Sequence, residues 1–489
     1  YPDVFRANAF VGNYLRLDIL SRYGLQKQLL GEVKDYFYYM AERTGTLWEN
    51  TGSHASCNHG FASYIGHLLY RDVLGLSQID PVNREVTLRF SALALNSCRG
   101  SVPVEHGVVE LAWVRQGNKM RYSLKVPENY RVKIKNPDNL ELIPQYDATI
   151  HFGEIYDQAA LRYRFSGKTK ADFDKWQAAF LPELKKKLGL DQLERQFAGY
   201  IPKAEMRASE DVGYAVRERW VIFTEPTVPL PFILLRPKNP VQGAGLVIAP
   251  HGHSRNTELY AGIYENEEER EKGEVGERNV AVQAVKEGYF AIAPTVRGFG
   301  ETRTLTDQKK EATSSCRVLL LHDILVGRTP IGDRVWDISR LIDWALINLP
   351  VDPAKIAVTG NSGGGTVTLF AAACEPRIAV AVPSSYFCTF TGSIGSIHHC
   401  ECNYVPGIMD LGEMADVAGL TAPRAFCAVN GELDVIFPIG ETRKAFAHLQ
   451  EIYKAAGVPG NCELYVGAGG HRYYKDGVWP FVKKHFDKP

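Results

Sequence analysis

The sequence predicts an α/β protein, in which a mainly parallel sheet with helices on both faces follows a helical segment and an antiparallel β-sandwich. Three observations predict this order. Apolar residues at helical spacing dominate up to about residue 78, short alternating segments fill residues 82–150, and buried strands alternate with amphipathic helices from about residue 213. We therefore expect a helical domain (1–80), a β-sandwich (81–155) and an α/β domain (156–489).

The first two predicted domains differ in the period of their apolar residues. Helical spacing predicts three helices, which are Ala9–Tyr23, Leu30–Ala41 and Phe61–Leu74. Further along, apolar and polar residues alternate between Pro, Gly and Asn, which is typical of antiparallel strands. The predicted strands are Glu85–Phe90, Val108–Val114, Arg121–Val126 and Tyr130–Ile134.

The third predicted domain begins with a charged helical lead-in, Lys168–Leu188, and continues as alternating strands and helices. Strands separated by helices of this length indicate a mainly parallel sheet with right-handed crossovers. The predicted strands are Tyr214–Phe223, Leu230–Leu235, Gly245–Pro250, Phe290–Pro294, Ile356–Thr359, Ile378–Val382, Arg424–Asn430 and Cys462–Gly467. The predicted helices are Val280–Glu287, Asp333–Leu349, Gly364–Cys374 and Glu441–Ala456.

The composition is that of a globular chain without net charge. Lys plus Arg and Asp plus Glu both number 56, so no overall field attracts nucleic acid or an anionic membrane. No apolar run approaches the roughly 18 residues of a membrane span. The 9 cysteines are odd in number and scattered, which is not the pattern of a disulfide framework. The chain starts with Tyr1, so we expect it to be a piece of a longer one.

One motif, at residues 360–364, predicts a catalytic nucleophile. The strand Lys355–Gly360 leads into Asn361-Ser362-Gly363-Gly364, and a predicted helix follows. This is the Gly-x-Ser-x-Gly elbow of the α/β-hydrolase fold, in which a strained turn lifts the serine hydroxyl above the sheet. A phosphate-binding loop is the alternative, but it would require a Lys or a longer glycine spacing. We therefore predict that Ser362 is a nucleophile.

A base and an acid should follow the serine, in the chain order serine, acid, histidine. His471 stands in Gly467-Ala-Gly-Gly-His471, directly after a predicted strand, which is where such a base belongs. The acid should follow the preceding strand, and the loop there carries both Glu432 and Asp434. We predict that His471 is the base and Asp434 the acid, with Glu432 as the alternative acid.

The oxyanion hole requires two backbone N–H groups. One should come from Gly363, the residue after the nucleophile, and the other from the loop after an early strand. That strand ends at Pro250 and runs into His251-Gly-His253-Ser254, so His253 or Ser254 is the expected second donor. A plain turn is the alternative for this segment, but it sits at the carboxyl edge of the sheet, where sites of open α/β folds form.

Two further segments are expected to edge the site, Arg297–Gly300 and His398–Cys402. The second combines imidazole and thiol side chains, which are common zinc ligands. The sequence offers no second ligand cluster of matching spacing, so we predict a pocket loop there and neither a metal nor a cofactor.

These motifs resemble a known family. Over roughly residues 160–489 they are similar to bacterial carbohydrate-esterase-like α/β hydrolases, such as acetyl xylan esterases and dienelactone-hydrolase-like proteins. The resemblance implies an ester-hydrolysing serine enzyme. The segments that carry it are His251–His253, Arg297–Gly300, Gly327–Asp337, Gly360–Gly364, Cys402–Gly407 and Gly469–His471.

The first 150 residues resemble a different family, the α-L-rhamnosidases. Ala9–Arg16, Thr44–Asn50 and Ala55–Ala62 are similar to the last hairpins of its helical toroid, and the stretch from Ala94 to Pro127 is similar to its C-terminal sandwich. The resemblance places a general base on Glu49 and implies that residues 1–80 are part of a toroid. An inverting glycosidase also requires a general acid, which in that family lies upstream of the matching segment.

Together the two resemblances predict a serine esterase that deacetylates a rhamnose-containing polysaccharide. An α-L-rhamnosidase activity is an alternative if a longer chain supplies the acid, and hydrolysis of another ester (a methyl ester included), a lactone or a peptide is a second. A sugar-binding module with an inactive hydrolase fold is a third. A polysaccharide substrate favours the periplasm or the extracellular space, while the oligomeric state stays open.

Overall fold

The computed structural model describes residues 10–52, 56–105, 107–127, 130–146, 148–238, 240, 243–253 and 257–487, with the backbone alone for residues 10, 149 and 150. The chain divides into two compact units, Tyr1–Glu154 and Ile155–Pro489. The helical and strand-rich segments that we assigned to separate domains share the first unit, and the predicted boundary at residue 80 stays a prediction.

The helical part of the first unit consists of short helices around a small core. Buried Leu17, Phe37, Met40 and Trp48 contribute to this core. The predicted helices at the three positions are present, although π-helical turns interrupt two of them. The helices are α1 (Phe10–Arg22), α2 (Gln26–Val33), α3 (Tyr39–Thr44) and α4 (Tyr64–Leu68), and the π-helical turns are Lys34–Tyr38 and Leu69–Leu74.

The strands of the first unit form two small sheets, with orders β1-β2-β6 and β3-β4-β5-β7, around one hydrophobic core. β2 pairs with β6 and β5 with β7 in parallel, so the predicted antiparallel sandwich is wrong for these pairings. Between β5 and β7 the chain passes through β6, which belongs to the other sheet. The chain therefore comes back to β5 as β7 running in the same direction as β5. The strands are β1 (Leu76–Asp80), β2 (Glu85–Arg89), β3 (Ser97–Val104), β4 (Gly107–Gln116), β5 (Lys119–Lys125), β6 (Arg131–Lys135) and β7 (Glu141–Pro144).

The second unit is built on a nine-stranded mixed sheet, with the order β16-β15-β14-β13-β11-β12-β10-β9-β8. The strands from β11 to β16 pair in parallel, as predicted, whereas β8, β9 and β10 form an antiparallel edge. The strands are β8 (Ala204–Asp211), β9 (Ala215–Glu225), β10 (Val228–Pro237), β11 (Leu246–Ile248), β12 (Phe290–Pro294), β13 (Ile356–Asn361), β14 (Val380–Ser384), β15 (Ala425–Gly431) and β16 (Cys462–Gly467).

Helices cover both faces of this sheet. On β11, Leu246 and Ile248 belong to one core, whereas Val247 packs into the core on the opposite face. Parallel strands buried on both sides require apolar residues at every position, which is why these strands read as continuous apolar runs. The helices are α5 (Ala148–Asp157, at the boundary between the units), α6 (Lys170–Leu188), α7 (Leu190–Gln196), α8 (Thr257–Tyr260), α9 (Glu267–Glu274), α10 (Val280–Lys286), α11 (Leu305–Lys309), α12 (Cys316–Leu325), α13 (Pro330–Asn348), α14 (Gly363–Cys374), α15 (Ile408–Leu411), α16 (Met414–Gly419), α17 (Ile439–Ala455) and α18 (Lys475–Phe486).

The start of α13 follows local capping rules. The Thr329 hydroxyl accepts a hydrogen bond from the backbone N–H of Gly332 at 3.0 Å, and Pro330 occupies the first position of α13. No helix among the described residues is both long and apolar enough to cross a membrane.

Candidate active site

Ser362 lies in the turn between β13 and α14 with φ of +56° and ψ of −117°. A non-glycine residue in this region of backbone space is strained, and such strain is often held in place at functional sites. The neighbouring chain crowds the turn, since a Cβ added to Gly360 or Gly364 would lie 2.2 or 2.0 Å from the carbonyl oxygen of Pro250. The two glycines are therefore needed for the close approach of β11 and the elbow.

Helix α14 begins at Gly363, directly after Ser362. The first N–H groups of a helix have no partner within the helix, and its N-terminus carries a partial positive charge. Gly363 is the residue that we predicted for the oxyanion hole. Its backbone N–H belongs to this N-terminus and is next in the chain to Ser362.

His471 and Asp434 come together from different loops. The Nδ1 atom of His471 lies 2.8 Å from Oδ2 of Asp434, and the other carboxylate oxygen, Oδ1, accepts hydrogen bonds from the backbone N–H groups of Ile436 and Phe437 at 2.9 and 3.1 Å. The Asp434 carboxylate is an acceptor, so Nδ1 of His471 carries the proton and Nε2 is free to accept one.

The alternative acid, Glu432, does not reach the imidazole. Its carboxylate pairs with Arg443 at 2.9 Å, and the side chain is 44% exposed. The structure therefore brings Asp434, and not Glu432, to His471.

Ser362 and His471 line the same cavity, which has a volume of about 460 Å³. The Phe437 ring stacks on the imidazole of His471, with 5.8 Å between centroids and 19° between planes, and so limits its rotation. Most of the residues that line this cavity were not predicted from the sequence. Other lining residues are Gly252, His253, Tyr260, Arg278, Asn361, Tyr386, Ile397, His398, His399, Cys400, Asn403, Ile436 and Tyr473.

The loop after β11 is anchored by His251. Its Nε2 accepts a hydrogen bond from the backbone N–H of Val296 at 3.0 Å, and its Nδ1 lies 2.7 Å from the carbonyl oxygen of Gly252. Burial lowers the pKa of His251 to about 4, so this imidazole is neutral at pH 7.

His253, one of the two expected oxyanion donors of this loop, lies against the start of α14. A Cβ on Gly363 would be 2.8 Å from Cε1 of its ring. Burial lowers the pKa of His253 to about 4, so this imidazole is neutral at pH 7. The other expected donor, Ser254, lies outside the described residues.

Beside the cavity lie four side chains that we call the thiol cluster: His253, Cys316, Cys400 and Cys402. Nε2 of His253 is 3.2 Å from Sγ of Cys402, which is 3.4 Å from Sγ of Cys400. Sγ of Cys316 accepts a hydrogen bond from Nη2 of Arg334 at 3.4 Å. Hydrogen bonds from Cys316 and Cys400 hold the pKa of the Cys402 thiol well below its ordinary value, and the Arg334 guanidinium acts in the same direction.

The segment Arg297–Gly300 contacts the site through the ring of Phe299, which reaches the cavity residue His253. Phe299 packs edge-on against His253, with 5.8 Å between ring centroids. Arg297 is buried and pairs with Asp333 at 2.9 Å and Asp337 at 2.6 Å, and a third ion pair joins it to Glu225. We predicted that this segment edges the site; Arg297 does not line the cavity, because its charge requires buried carboxylates.

Glu49 lies in the first unit, in the loop after α3. Its side chain is half-buried, and its backbone N–H donates to the carbonyl oxygen of Ser56 at 2.9 Å. Residues 53–55 of the same loop are outside the described part of the chain. The role of Glu49 as a glycosidase base stays a prediction.

A comparison with protein families matches residues 75–144 to the C-terminal domain of bacterial alpha-L-rhamnosidase. This match confirms the predicted resemblance of the strand-rich segment to that family.

Two curated relatives each match less than half of the chain. YtaP of Bacillus subtilis (strain 168), provisionally named a hydrolase, is 23% identical over 189 residues, which are 38% of this chain and 60% of YtaP. The 4-O-methyl-glucuronoyl methylesterase 1 of Wolfiporia cocos (strain MD-104) is 27% identical over an alignment of 188 residues, and the match covers 32% of this chain and 44% of the methylesterase. The chain therefore spans less than two thirds of either relative.

Solved structures resemble the chain over a longer stretch. One from Bacteroides fragilis NCTC 9343, provisionally named an acetyl xylan esterase, is 17% identical with a TM-score of 0.56, and the match covers 73% of this chain and 86% of that one. A methylesterase is 18% identical with a TM-score of 0.51, covering 77% and 74%. The matched part thus has the α/β-hydrolase fold of these esterases, and the predicted resemblance to carbohydrate esterases is confirmed.

Proposed function

We propose that the second unit is a serine carbohydrate esterase that removes acetyl groups from a rhamnose-containing polysaccharide, with Ser362 as nucleophile, His471 as base and Asp434 as the acid that orients the base. The contact between His471 and Asp434 carries this proposal. It leaves Nε2 of an imidazole free in the same cavity as a serine held on a strained turn. A serine hydroxyl is a weak nucleophile until such a base takes its proton.

The proposed reaction is acyl transfer in two halves. Nε2 of His471 takes the proton of the Ser362 hydroxyl as Oγ forms a bond to the ester carbonyl carbon, and the carbonyl electron pair moves onto oxygen. The tetrahedral intermediate then collapses. The bond to the sugar oxygen breaks, and that oxygen leaves with the proton from His471. Water attacks the acetyl-serine in the same way, which releases acetate and restores Ser362.

The negative charge on the carbonyl oxygen is proposed to meet two backbone N–H groups. One belongs to Gly363 at the start of α14 and the other to the loop His251–Ser254, with His253 or Ser254 as donor. Each such donor typically stabilises the transition state by about 2.7–4 kcal/mol. The neutral His253 ring beside Gly363 excludes water from this corner of the cavity without adding a charge.

The substrate class rests on resemblance. The fold is similar to that of the Bacteroides fragilis protein provisionally named an acetyl xylan esterase, and the same chain contains a segment that matches a rhamnosidase C-terminal domain. An acetyl group on or near a rhamnose residue can block a glycosidase, so an esterase joined to such a module has a chemical rationale. A polysaccharide substrate also favours the periplasm or the extracellular space.

Methyl ester hydrolysis is the second candidate, and two observations favour it. Both a curated relative and a structural relative are methylesterases. In addition, the cavity wall contains Arg278, for which no ion pair is recorded within the described part of the chain. A guanidinium there suits a substrate with carboxylates, such as a partly esterified uronic acid polymer. In this reaction the sugar acid is the acyl group and methanol leaves.

Other activities are compatible with the chain. The same triad hydrolyses lactones or peptides when loops build a different leaving-group pocket. The first unit would add an inverting α-L-rhamnosidase with Glu49 as base if a longer native chain supplied the acid.

The first experiment compares hydrolysis of p-nitrophenyl acetate by the wild-type protein, Ser362→Ala and Ser396→Ala. Ser396 is exposed in the loop that precedes the cavity residue His398 and serves as the control. We expect Ser362→Ala to lose at least about 10³-fold in kcat/KM, since the nucleophile is gone, and Ser396→Ala to keep its activity. Equal activity of all three proteins would contradict the triad.

The second experiment identifies the ester. Acetate is measured after incubation with an acetylated rhamnose-containing polysaccharide, and methanol after incubation with a methyl-esterified uronic acid polymer. Release of acetate alone supports the first candidate, and release of methanol alone supports the second. An active triad that releases neither would point to a lactone or peptide bond.

A further inference from the structure

The thiol cluster lies next to the proposed nucleophile but takes no part in the proposed reaction. His253 and Cys400 line the cavity together with Ser362, whereas Cys402 and Cys316 are fully buried behind them. Imidazole and thiolate groups are the ligands that structural zinc sites use. From the sequence we predicted no metal, because His398–Cys402 has no second group of ligands at matching spacing. The fold supplies one from His253 and Cys316, on elements far away in sequence.

Two separations within the cluster are slightly shorter than the edges of a tetrahedral zinc site. With Zn–S of about 2.3 Å and Zn–N of about 2.0 Å, neighbouring ligand atoms are about 3.5–3.8 Å apart. The separations here are 3.2 Å between His253 Nε2 and Cys402 Sγ and 3.4 Å between the Cys402 and Cys400 sulfurs. The ligand atoms of these three residues all lie within 4.8 Å of one another. Cys316 is not part of this set of three, but its thiol interacts with the thiols of Cys400 and Cys402 and can supply the fourth ligand.

The positive charge of Arg334 beside the cluster also favours a zinc site. Arg334 is only 2% exposed, and its Nε and Nη2 donate to the carbonyl oxygen of Arg297 and to the Cys316 sulfur. Its Nη1 finds no hydrogen-bond partner within the described part of the chain, and no ion pair with a carboxylate is recorded there. A buried guanidinium without a counter-charge is costly. Three thiolates around one Zn²⁺ carry a net charge of −1, which Arg334 balances.

A disulfide fits the cluster less well. A disulfide requires two sulfurs about 2.05 Å apart, and the Cys400–Cys402 pair is 3.4 Å apart. It would also leave a third thiol and the imidazole of His253 without a role. A closed tetrahedral site uses all four side chains at once.

We propose that the thiol cluster is a structural zinc site, with Nε2 of His253 and the thiolates of Cys316, Cys400 and Cys402 as ligands. The metal joins the loop after β11, the start of α12 and the loop before α15. It thereby holds His253 in place, on which the proposed oxyanion hole depends. This last consequence rests on the proposed esterase function, whereas zinc binding itself does not.

The test is the metal content of the full chain, purified with reduced thiols, supplied with Zn²⁺ and freed of loosely bound ions by gel filtration. Elemental mass spectrometry should find about one zinc per chain in the wild type. Cys402→Ser should lose most of it, whereas Cys462→Ser, a control at another buried thiol, should keep it. Ser362→Ala should also keep the zinc while losing ester hydrolysis, which separates this proposal from the proposed function.

Cobalt substitution provides a second measurement on the wild type alone, in case Cys402→Ser does not fold. Tetrahedral Co²⁺ with thiolate ligands should show intense visible bands and sulfur-to-cobalt charge transfer in the near ultraviolet. Three results would overturn the proposal: no zinc and no cobalt bands in the reduced wild type, zinc retained in full by a folded Cys402→Ser variant, or a Cys400–Cys402 disulfide found by mass spectrometry in place of bound metal.

Discussion

Replacing Asp434 by Asn tests the proposed triad at its most specific point. In the wild type, Oδ1 of Asp434 accepts from the backbone N–H groups of Ile436 and Phe437, and Oδ2 accepts from His471. The amide oxygen of Asn can satisfy both backbone groups, so its NH₂ group must face the imidazole. Nδ1 of His471 then becomes an acceptor and the proton moves to Nε2, which can no longer take the proton of Ser362.

The expected loss follows from this change of tautomer. An Asp-to-Asn change in a serine-protease triad, which puts the histidine in the wrong tautomer, lowers kcat by about 10⁴-fold, which corresponds to about 5.5 kcal/mol of transition-state stabilisation. KM should change little, because Asp434 is buried and is not among the residues that line the cavity. Folding should persist, since the two backbone donors keep their acceptor.

The assay is hydrolysis of p-nitrophenyl acetate by Asp434→Asn, with the melting temperature followed by circular dichroism. Glu432→Gln is the matched control, because that carboxylate belongs to the same loop but pairs with Arg443 at the surface. It should retain activity within about twofold, since exposed ion pairs contribute little. A folded Asp434→Asn variant with more than a tenth of wild-type kcat, or an equal loss in Glu432→Gln, would refute the assignment of the acid.

Three further predictions concern stability. Gly364→Ala places a Cβ 2.0 Å from the Pro250 carbonyl oxygen and should abolish soluble expression or the activity, whereas Gly440→Ala, with open space around it, should be neutral by thermal melting. Arg297→Met should cost about 3–5 kcal/mol in urea unfolding, because it leaves buried carboxylates without their partner; a loss below about 1 kcal/mol would contradict this. The folded-state pKa of His251, about 4, lies below the unfolded value, so the unfolded state binds more protons and stability falls as the pH drops from 6.5 towards 4. Lowering the pH from 7 to 5 should therefore cost the wild type about 2 kcal/mol through this residue, and His251→Gln should show a shallower pH dependence of unfolding.

The parts of the fold that sequence could predict are those with a local cause. Strands β11–β15 are buried on both faces, so they read as apolar runs, and the elbow at Ser362 is a local strand–turn–helix pattern. β8 escaped prediction because nearly all of its residues are exposed, and the antiparallel edge of the sheet supplies its pairing partner instead of an apolar pattern. The parallel pairings in the first unit were not predicted either. Alternating apolar and polar residues indicate which face of a strand is buried, but not which strand it pairs with or in which direction.

The candidate site, like the fold, could be predicted from the sequence only in part. Chain order and strand ends were enough to nominate Ser362, His471 and Asp434 at one edge of a parallel sheet, because the carboxyl ends of its strands converge there. The choice between Asp434 and Glu432 required the positions of Arg443 and His471 in three dimensions.

His253 shows why the thiol cluster could not be found from spacing. It stands 149 residues before Cys402 along the chain, and α12 brings Cys316 to the same place. A zinc motif is recognised from sequence only when its ligands come in closely spaced pairs. Here the expected oxyanion loop contributes a ligand and a pocket loop contributes two others. In the proposed site the side chain of His253 binds the metal, and the loop that contains it, His251–Ser254, supplies the proposed second oxyanion donor. Removing the metal should therefore lower the esterase activity without removing any member of the triad.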